Sequence, residues 1–330
     1  MEILVVGGTR FVGRHIVEAA LQRGHRVTLL HRGTGDDPFP TCEHLHTDRD
    51  GDLSVLASRS FDAVVDVSSY VPRQVNALAD VLGERGGRYL YISTVSVYDL
   101  PAPGPFDEGH TRTAVPDDLT REDVTEQTYG GLKVLCEDAA QSRFPRLTIV
   151  RPTYVVGPFD YTHRFTYWVE RLARGGEVLA PAPADAWLQV IDARDQGDFV
   201  VQLLEDDRDG TFHTVWPDVD RATFGEVLAD VAAAVAPEGT TITWVDPKFL
   251  TEQGVDGSML PLWDEGGEEG GGAAIPDAAL AAGLKPRSVQ QTSQELLAAE
   301  RAEPSHNVYG GGLDPEREAE VLTAWHAAGH

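Results

Sequence analysis

At 330 residues, 42% hydrophobic and 24% charged, the chain is long enough for one large globular domain, or a large one with a smaller lobe, and carries no apolar run of membrane-spanning length. Its formal net charge of −26 repels phosphate backbones and so speaks against a nucleic-acid partner. The two cysteines, Cys42 and Cys136, are spaced for neither a zinc site nor a disulfide framework, and the opening residues run directly into an apolar segment without a basic leader. A cytoplasmic protein with reduced, buried thiols is expected.

Residues 1–155 alternate strand and helix signals. ILVV (3–6) reads as a first strand, and FVGRHIVEAALQRG (11–24) as a helix. Its Val12, Ile16, Ala19 and Ala20 recur at helical spacing, and Gly24 ends it. RVTLLH (26–31), EHLHTD (43–48) and DAVVDV (62–67) read as the next strands, followed by a helix over 73–85. RYLYIS (88–93) is a fifth strand, 128–141 a helix despite its glycine pair, and LTIVR (147–151) a sixth strand. Apolar strands joined through helices predict an α/β fold, a doubly wound parallel sheet of Rossmann type.

Beyond 155 the pattern loosens into a smaller substrate lobe, expected to comprise 156–186 and 217–287. FTYWVERLARGG (165–176) reads as a helix, 187–206 as a strand and helix, and GTFHTVW (210–216) as a strand returning to the main sheet. An acidic, glycine-rich loop is expected over 264–277. Helices over 288–302 and 314–329 close the chain. The second starts at Asp314 and Pro315, and presents Val321, Leu322 and Trp325 to the body or to a partner subunit.

The segment VVGGTRFVG (5–13) joins the first strand to the first helix. A glycine turn there lets backbone approach a pyrophosphate, and the helix N-terminus offers unpaired N–H groups. Gly7, Gly8, Thr9, Arg10, Phe11, Val12 and Gly13 are therefore candidate cofactor contacts. Gly7 and Gly13 keep the usual frame, but Arg10 stands where a middle glycine is common. A guanidinium pointing outward there can pair with phosphate. The second strand ends in His31 and Arg32, where NAD sites place an acid for the ribose 2′-hydroxyl. Two arginines near one ribose suit a 2′-phosphate, so NADP is the expected cofactor, with NAD the alternative. Asp36 and Asp37 come late for the ribose role, and Asp48 is placed to accept from the adenine amino group.

Tyr129 and Lys133 lie four apart on one predicted helix face. A phenol of pKa about 10 is a poor base, and a neighbouring ammonium favours its ionised form. Such a pair can move a proton while hydride moves at a nicotinamide. The hydroxyls of YISTVSVY (91–98) end the fifth strand, where ligands of such sheets bind, so Thr94 or Ser93 is placed to share the substrate oxygen.

Four segments, GGTRFVG, ISTVSVY, YGGLK and RPTYVVGP, resemble in order and spacing the extended short-chain dehydrogenase/reductase superfamily. The chain is most similar to its atypical branch, the NAD-dependent epimerase/dehydratase type, which also includes chloroplast stem-loop-binding proteins. The likeness covers about residues 1–215. It implies Thr94, Tyr129 and Lys133 as a catalytic set, and cofactor contacts from Gly7, Gly13, Arg32, Asp48 and the backbone of Val67, Ser68 and Ser69, with Ser93 alongside. It also implies a homodimer. Ser96, Tyr154 and Arg151 are the expected substrate contacts. Val95 and Ser96 follow Thr94 where sugar-nucleotide dehydratases carry an acidic pair, which argues against dehydration by that route.

The expected function is an NAD(P)-dependent oxidoreductase or epimerase acting at a carbinol or carbonyl carbon of a sugar-nucleotide-like or other small metabolite. An RNA-binding protein on the same fold, and an NADP-sensing regulator without turnover, are the alternatives. Three further readings concern single segments. His44 and His46 face one side of a strand, without a third ligand beside them, so no metal is expected. Asp192, Arg194 and Asp195 read as a helix cap with an ion pair. Tyr154, Phe159, Tyr161, His163 and Trp168 are candidates to line a substrate pocket.

Overall fold

The computed structural model describes the chain apart from residues 34–36, 116–121, 217–222, 264–271, 306, 309–310 and 330. The first half runs β1 (Glu2–Val6), α1 (Phe11–Gln22), β2 (Arg26–His31), β3 (Glu43–His46), β4 (Ala63–Asp66), α2 (Pro72–Leu82), β5 (Arg88–Ile92), α3 (Glu126–Arg143) and β6 (Leu147–Pro152). The second continues with β7 (Tyr154–Val156), α4 (Arg164–Arg174), β8 (Glu177–Pro181), β9 (Val190–Asp192), α5 (Ala193–Glu205), β10 (Gly210–Thr214), α6 (Phe224–Val235), β11 (Thr241–Val245), α7 (Pro247–Glu252), α8 (Asp277–Ala281), α9 (Val289–Ala302) and α10 (Pro315–Ala327).

Seven strands form one parallel sheet in the order β10-β6-β5-β4-β1-β2-β3. Both faces are covered, which is why β1, β4 and β5 read as nearly continuous apolar runs. Ile16, Val17 and Ala20 of α1 and Phe199, Val200 and Leu203 of α5 pack with Val5 and Leu29 on one face. Val75, Leu78 and Leu82 of α2 and Cys136 and Ala140 of α3 pack with Leu4, Leu30 and Tyr91 on the other. From β1 the chain winds outward through β2 and β3 in one direction and through β4, β5 and β6 in the other. The carboxyl ends of β1 and β4 thus flank the crevice where such sheets bind ligands. The strand read over 210–216 is β10, beside β6 at the sheet edge.

A separate core holds α4, α6, α9 and α10 together around Trp168, Phe224, Leu228, Leu296 and Val321. Trp168, expected in a pocket, is fully buried here and donates its indole N–H to the Pro261 carbonyl at 2.6 Å. It is core, not lining. The apolar face of α10 packs on the same chain, with Trp325 edge-on to Phe249 at 5.0 Å. Of the acidic loop expected over 264–277, residues 264–271 lie outside the described residues.

Two helix ends differ from the sequence reading for local reasons. α3 starts two residues early because Thr125 caps it, its hydroxyl accepting from the Thr128 N–H at 3.3 Å while the Thr128 hydroxyl accepts from Thr125 N–H at 2.9 Å. α2 stops at Leu82 because Gly83 takes φ +52, a backbone that ends helices.

Candidate active site

The glycine turn is dictated by space. Gly7 sits at φ +90, and a Cβ on Gly13 would lie 2.2 Å from the Gly7 carbonyl oxygen. The first turn of α1 therefore presses directly on the loop. Arg10 needs no glycine, because its backbone is extended (φ −131, ψ 144) and its side chain is exposed. It is the N-cap of α1 yet makes no side-chain cap, so the first amides of this 12-residue helix have no acceptor from that side chain. Close backbone packing and uncapped amides at the mouth of β1 together fit a pyrophosphate. Thr9 and Val12 are half-buried, and Phe11, at φ +37, is buried with its ring edge-on to Tyr161 at 6.4 Å.

Beside the turn, β4 ends in a buried carboxylate that sequence reasoning missed. Asp66 takes both Arg49 guanidinium nitrogens, at 2.8 and 3.0 Å, and the Tyr89 hydroxyl at 2.7 Å. Burial pushes this carboxyl up, but the Arg49 charge and the surrounding donors outweigh it and bring its pKa down to about 2. Arg49 also donates to the Ser68 and Ser69 hydroxyls at 2.8 and 2.6 Å. Those hydroxyls are committed to the crevice floor, and the main-chain N–H groups of Ser68 and Ser69, expected to contact a cofactor, donate to Asp66 at 3.1 and 3.0 Å. A charged residue closing an otherwise apolar parallel strand was the available signal.

The adenosine side has a different character. Arg32 is exposed just past β2, and Asp48 is exposed past β3, where it accepts from the Asp50 N–H at 3.0 Å. Asp36 lies outside the described residues, and Asp37 lies 3.4 Å from His44. His44 and His46 do share a face, and the sheet brings His31 to them. His31 Nε2 lies 2.8 Å from His44 Nδ1, and His44 Nε2 donates to the Phe39 carbonyl at 3.0 Å. The third histidine came from the neighbouring strand, which pairs His31 with His46. Among the described residues no group of histidine, cysteine and acidic side chains is arranged to hold a metal ion.

The expected catalytic residues converge where β5 meets α3. Lys133 is buried and donates to the carbonyls of Ile92 at 2.8 Å and Ser69 at 3.1 Å, with its ammonium 4.2 Å from the Tyr91 ring centre. Burial lowers its pKa to about 8. Thr94 follows β5, and its hydroxyl donates to the Ser96 hydroxyl and accepts the Ser96 N–H, each at 3.1 Å. Burial raises the Tyr129 pKa, while the Thr94 hydrogen bond and the charge of Arg164 oppose that rise. The expected lowering by Lys133 is not what sets this phenol. The Lys133 ammonium is aimed at main-chain carbonyls, and desolvation dominates.

Two expected ligand contacts are spent on structure. Ser93 donates to buried Glu137 at 2.6 Å, and Arg151 pairs with the same carboxylate at 2.6 and 2.9 Å. Arg151 also reaches the Tyr98 hydroxyl at 2.5 Å. A guanidinium this buried and this fully bonded has no face left for a substrate. Ser96 and Tyr154 are exposed, as ligand contacts must be. Asp192 caps α5 through the Arg194 N–H at 2.9 Å and pairs with its guanidinium at 2.6 Å. Asp195 accepts the Arg287 N–H at 2.7 Å, and burial raises its pKa to about 6.

The loop between β7 and α4 folds over the same crevice. Phe159 lies under the Arg14 guanidinium at 3.4 Å, and His15 donates to the Pro158 carbonyl at 2.9 Å, tying the loop to α1. His163 donates to the Ser305 carbonyl at 3.1 Å, so it anchors the loop instead of lining a pocket. Arg164 stands 5.1 Å from the centre of the Tyr154 ring.

Comparison with known proteins agrees with this architecture. The profile of the NAD dependent epimerase/dehydratase family matches residues 3–215. The chloroplast stem-loop binding protein of 41 kDa b from Arabidopsis thaliana is 26% identical over 197 residues, 54% of this chain and 49% of that protein. The chain thus spans about half the length of this curated relative. The fold is shared with Bordetella bronchiseptica WbmH in complex with NAD+ (TM-score 0.68, 16% identity, 92% of this chain and 99% of that one). It is also shared with human epimerase family protein SDR39U1 with NADPH (TM-score 0.64, 20% identity, 91% and 99%). A third solved structure, the UDP-glucuronic acid 4-epimerase of Bacillus cereus with NAD, has a TM-score of 0.66 at 14% identity over 94% and 99% of the two chains. With the family profile covering well over half of its residues, this chain belongs to the NAD-dependent epimerase/dehydratase family.

Proposed function

We propose that the chain is an NAD(P)-dependent oxidoreductase or epimerase acting at a carbinol or carbonyl carbon of a sugar-nucleotide-like metabolite. The observation that carries this reading is the convergence of Thr94, Tyr129 and Lys133 beside a glycine turn shaped for pyrophosphate. A bound nicotinamide supplies the hydride acceptor or donor. Tyr129 moves the matching proton to or from the substrate oxygen, and Thr94 shares the same oxygen. Lys133 uses two of its three N–H donors on Ser69 and Ile92, and the third is left for a ribose hydroxyl. With its pKa raised, the phenol is neutral at pH 7 and starts as a proton donor, which suits carbonyl reduction as the first half-reaction.

Arg10, exposed at the glycine turn, and Arg32, exposed just past β2, support NADP over NAD, since a guanidinium can pair with a 2′-phosphate. The solved relatives with NAD, NADPH and a UDP-sugar activity are consistent with either dinucleotide and with a sugar-nucleotide substrate. RNA binding, the alternative suggested by the plant relative, finds no support in a chain of net charge −26.

The test is nicotinamide absorbance at 340 nm on mixing the NADPH- or NAD-loaded protein with carbonyl compounds and UDP-sugars. Turnover in the wild type and a loss of about 10²-fold or more in Tyr129→Phe, with dinucleotide retained, is the expected result. Equal rates in the two proteins would contradict the assignment.

A further inference from the structure

The sheet edge beside Arg32 gathers three histidines, His31 at the end of β2 and His44 and His46 on β3, with ring centres 4.8 to 5.9 Å apart. His31 and His44 are half-buried and His46 is exposed, so protons reach them from solvent. Two of the rings form a relay whose hydrogens can be placed one by one. The Gly33 N–H can only donate, so His31 Nδ1, 3.1 Å away, accepts. The Phe39 carbonyl can only accept, so His44 Nε2, at 3.0 Å, donates. With both rings neutral, His31 carries its hydrogen on Nε2, and His44 Nδ1 accepts it across 2.8 Å.

This relay has no place for a further proton. On His31 the proton lands on Nδ1 and faces the Gly33 N–H. On His44 it also lands on Nδ1, which turns His31 Nε2 into the acceptor and moves the His31 hydrogen to Nδ1, again against Gly33. Either way the Gly33 bond breaks. Gly33 cannot shift freely to keep it, because its backbone sits at φ +74 so close to His46 that a Cβ would lie 2.7 Å from the ring Nδ1.

The surroundings keep the relay neutral at pH 7. Burial and the two neighbouring histidines lower the His31 pKa, against the pull of Asp37. Asp37 stands 3.4 Å from His44 Nε2. Burial and Asp37 push the Cys42 thiol up, so it carries no charge. On α1, which covers the same face, Arg14 and Glu18 pair with each other. Glu43 turns to Thr28 and Arg59, and Asp48 to the Asp50 N–H. Arg32, between His31 and Gly33, adds a positive charge of its own.

We propose that His31 and His44 form a proton-operated latch on the Arg32–Gly33 peptide, and that the 2′-phosphate of a bound dinucleotide opens it by drawing a proton onto the pair. Closed, the latch spends the Gly33 N–H on a ring nitrogen and leaves no donor there besides Arg32. Open, His31 Nδ1–H and the Gly33 N–H are both donors beside that guanidinium, a set that suits a dianion. NADP+ binding therefore takes up a proton and tightens, relative to NAD+, as pH falls from about 8 toward 6.5. The coupling rests on the NADP reading given above, whereas the latch stands without it.

The latch is read in the free full-length protein, by NMR of 15N-labelled histidine rings and by the protection factor of the Gly33 amide from about pH 8 to pH 5. We expect the Nε2–H tautomer on both rings at pH 8, and Gly33 protection that disappears as the pair gains a proton. In His31→Asn the amide oxygen takes the place of Nδ1 and does not titrate, so Gly33 should stay protected throughout. Wild-type protection that does not change with pH, or an Nδ1–H tautomer on either ring at pH 8, overturns the latch. The coupling is read by calorimetry at pH 7 in PIPES and in Tris, whose ionisation enthalpies differ. NADP+ should bind the wild type with uptake of about half a proton and NAD+ with none, and His31→Asn should lose the uptake. A phosphate held by arginine sheds any proton it carries, so uptake belongs to the protein. Equal proton counts for the two dinucleotides, or an uptake that survives in His31→Asn, overturns the coupling. A chain that binds neither dinucleotide contradicts the proposed reaction and the coupling together, and the Gly33 readout still decides the latch.

Discussion

The ammonium of Lys133 donates to the main-chain carbonyl of Ile92 at 2.8 Å, joining the middle of α3 to the last residue of β5. Thr94 lies two residues beyond that carbonyl in the chain, and Tyr129 one helical turn back along α3. The geometry costs stability. Burial lowers the Lys133 pKa to about 8 from 10.5, so the folded state disfavours the ammonium that the unfolded chain carries. The penalty is absent above pH 10.5, grows as pH falls toward 8, and is complete below that. Relative to wild type, Lys133→Met should therefore gain up to about 3 kcal/mol on going from pH 10.5 to pH 7. Urea denaturation at the two pH values measures it. A difference that does not change with pH would mean the amine is not desolvated. Turnover should be lost in the variant at both.

Arg151 gives a contrasting expectation. Its guanidinium is locked to Glu137, Tyr98 and the Glu108 carbonyl, so Arg151→Met leaves the buried Glu137 carboxylate with only Arg112, at 3.6 Å, as counter-charge. The cost should be about 3–5 kcal/mol of stability. Purified at low temperature, the surviving folded fraction should keep wild-type KM. A raised KM with unchanged melting would restore Arg151 to the substrate.

Asp66 makes the acid side of the stability curve. Its folded pKa of about 2 lies below the unfolded 3.8, so its contribution is full above pH 3.8 and is lost as pH falls through 2. That contribution is about 2 kcal/mol. Asp66→Asn, which strands the Arg49 charge, should flatten the wild-type loss of stability between pH 4 and pH 2 while lowering stability at neutral pH. Parallel curves for the two proteins would remove Asp66 from the account.

The proposed preference for NADP assigns the 2′-phosphate to Arg32 and Arg10, exposed just past β2 and β1. Arg32→Glu should weaken NADP+ by about tenfold or more through lost phosphate pairing and added repulsion, and leave NAD+ within a few-fold. Fluorescence titration with each dinucleotide decides. Equal weakening of both would mean Arg32 stacks on adenine and does not read the phosphate.

The first half of the fold was legible because its strands are buried on both faces and its helices carry a 3.6-residue apolar period. In the second half α4, β9 with α5, β10, α9 and α10 were legible, but β7, β8, α6 and β11 were not. β7 is three residues long, too short to show a period, and β8 and β11 pair only with each other. α6 packs one face on α4 and α9, and its exposed face carries Ala229 and Ala233 beside Glu226, so FGEVLADVAAAV shows no polar stripe. In the proposed site, spacing pointed to Tyr129, Lys133 and Thr94 because they lie on one helix and one strand end. It misjudged Arg151, because whether an arginine at a strand end faces a ligand or a carboxylate depends on Glu137, which comes from α3. Arg49 and Asp66 were missed for the same reason, being 17 residues apart on separate segments.

The central claim is that the Tyr129 phenol works as the proton carrier at the nicotinamide. It is tested most directly by a crystal structure with dinucleotide and a substrate analogue bound. The account predicts the pyrophosphate on the turn at Gly7–Gly13, the nicotinamide ribose on the Lys133 amine, and the analogue's oxygen within hydrogen-bond reach of both Tyr129 and Thr94. A nicotinamide ring lying away from α3, or a pyrophosphate excluded from the glycine turn, would contradict it.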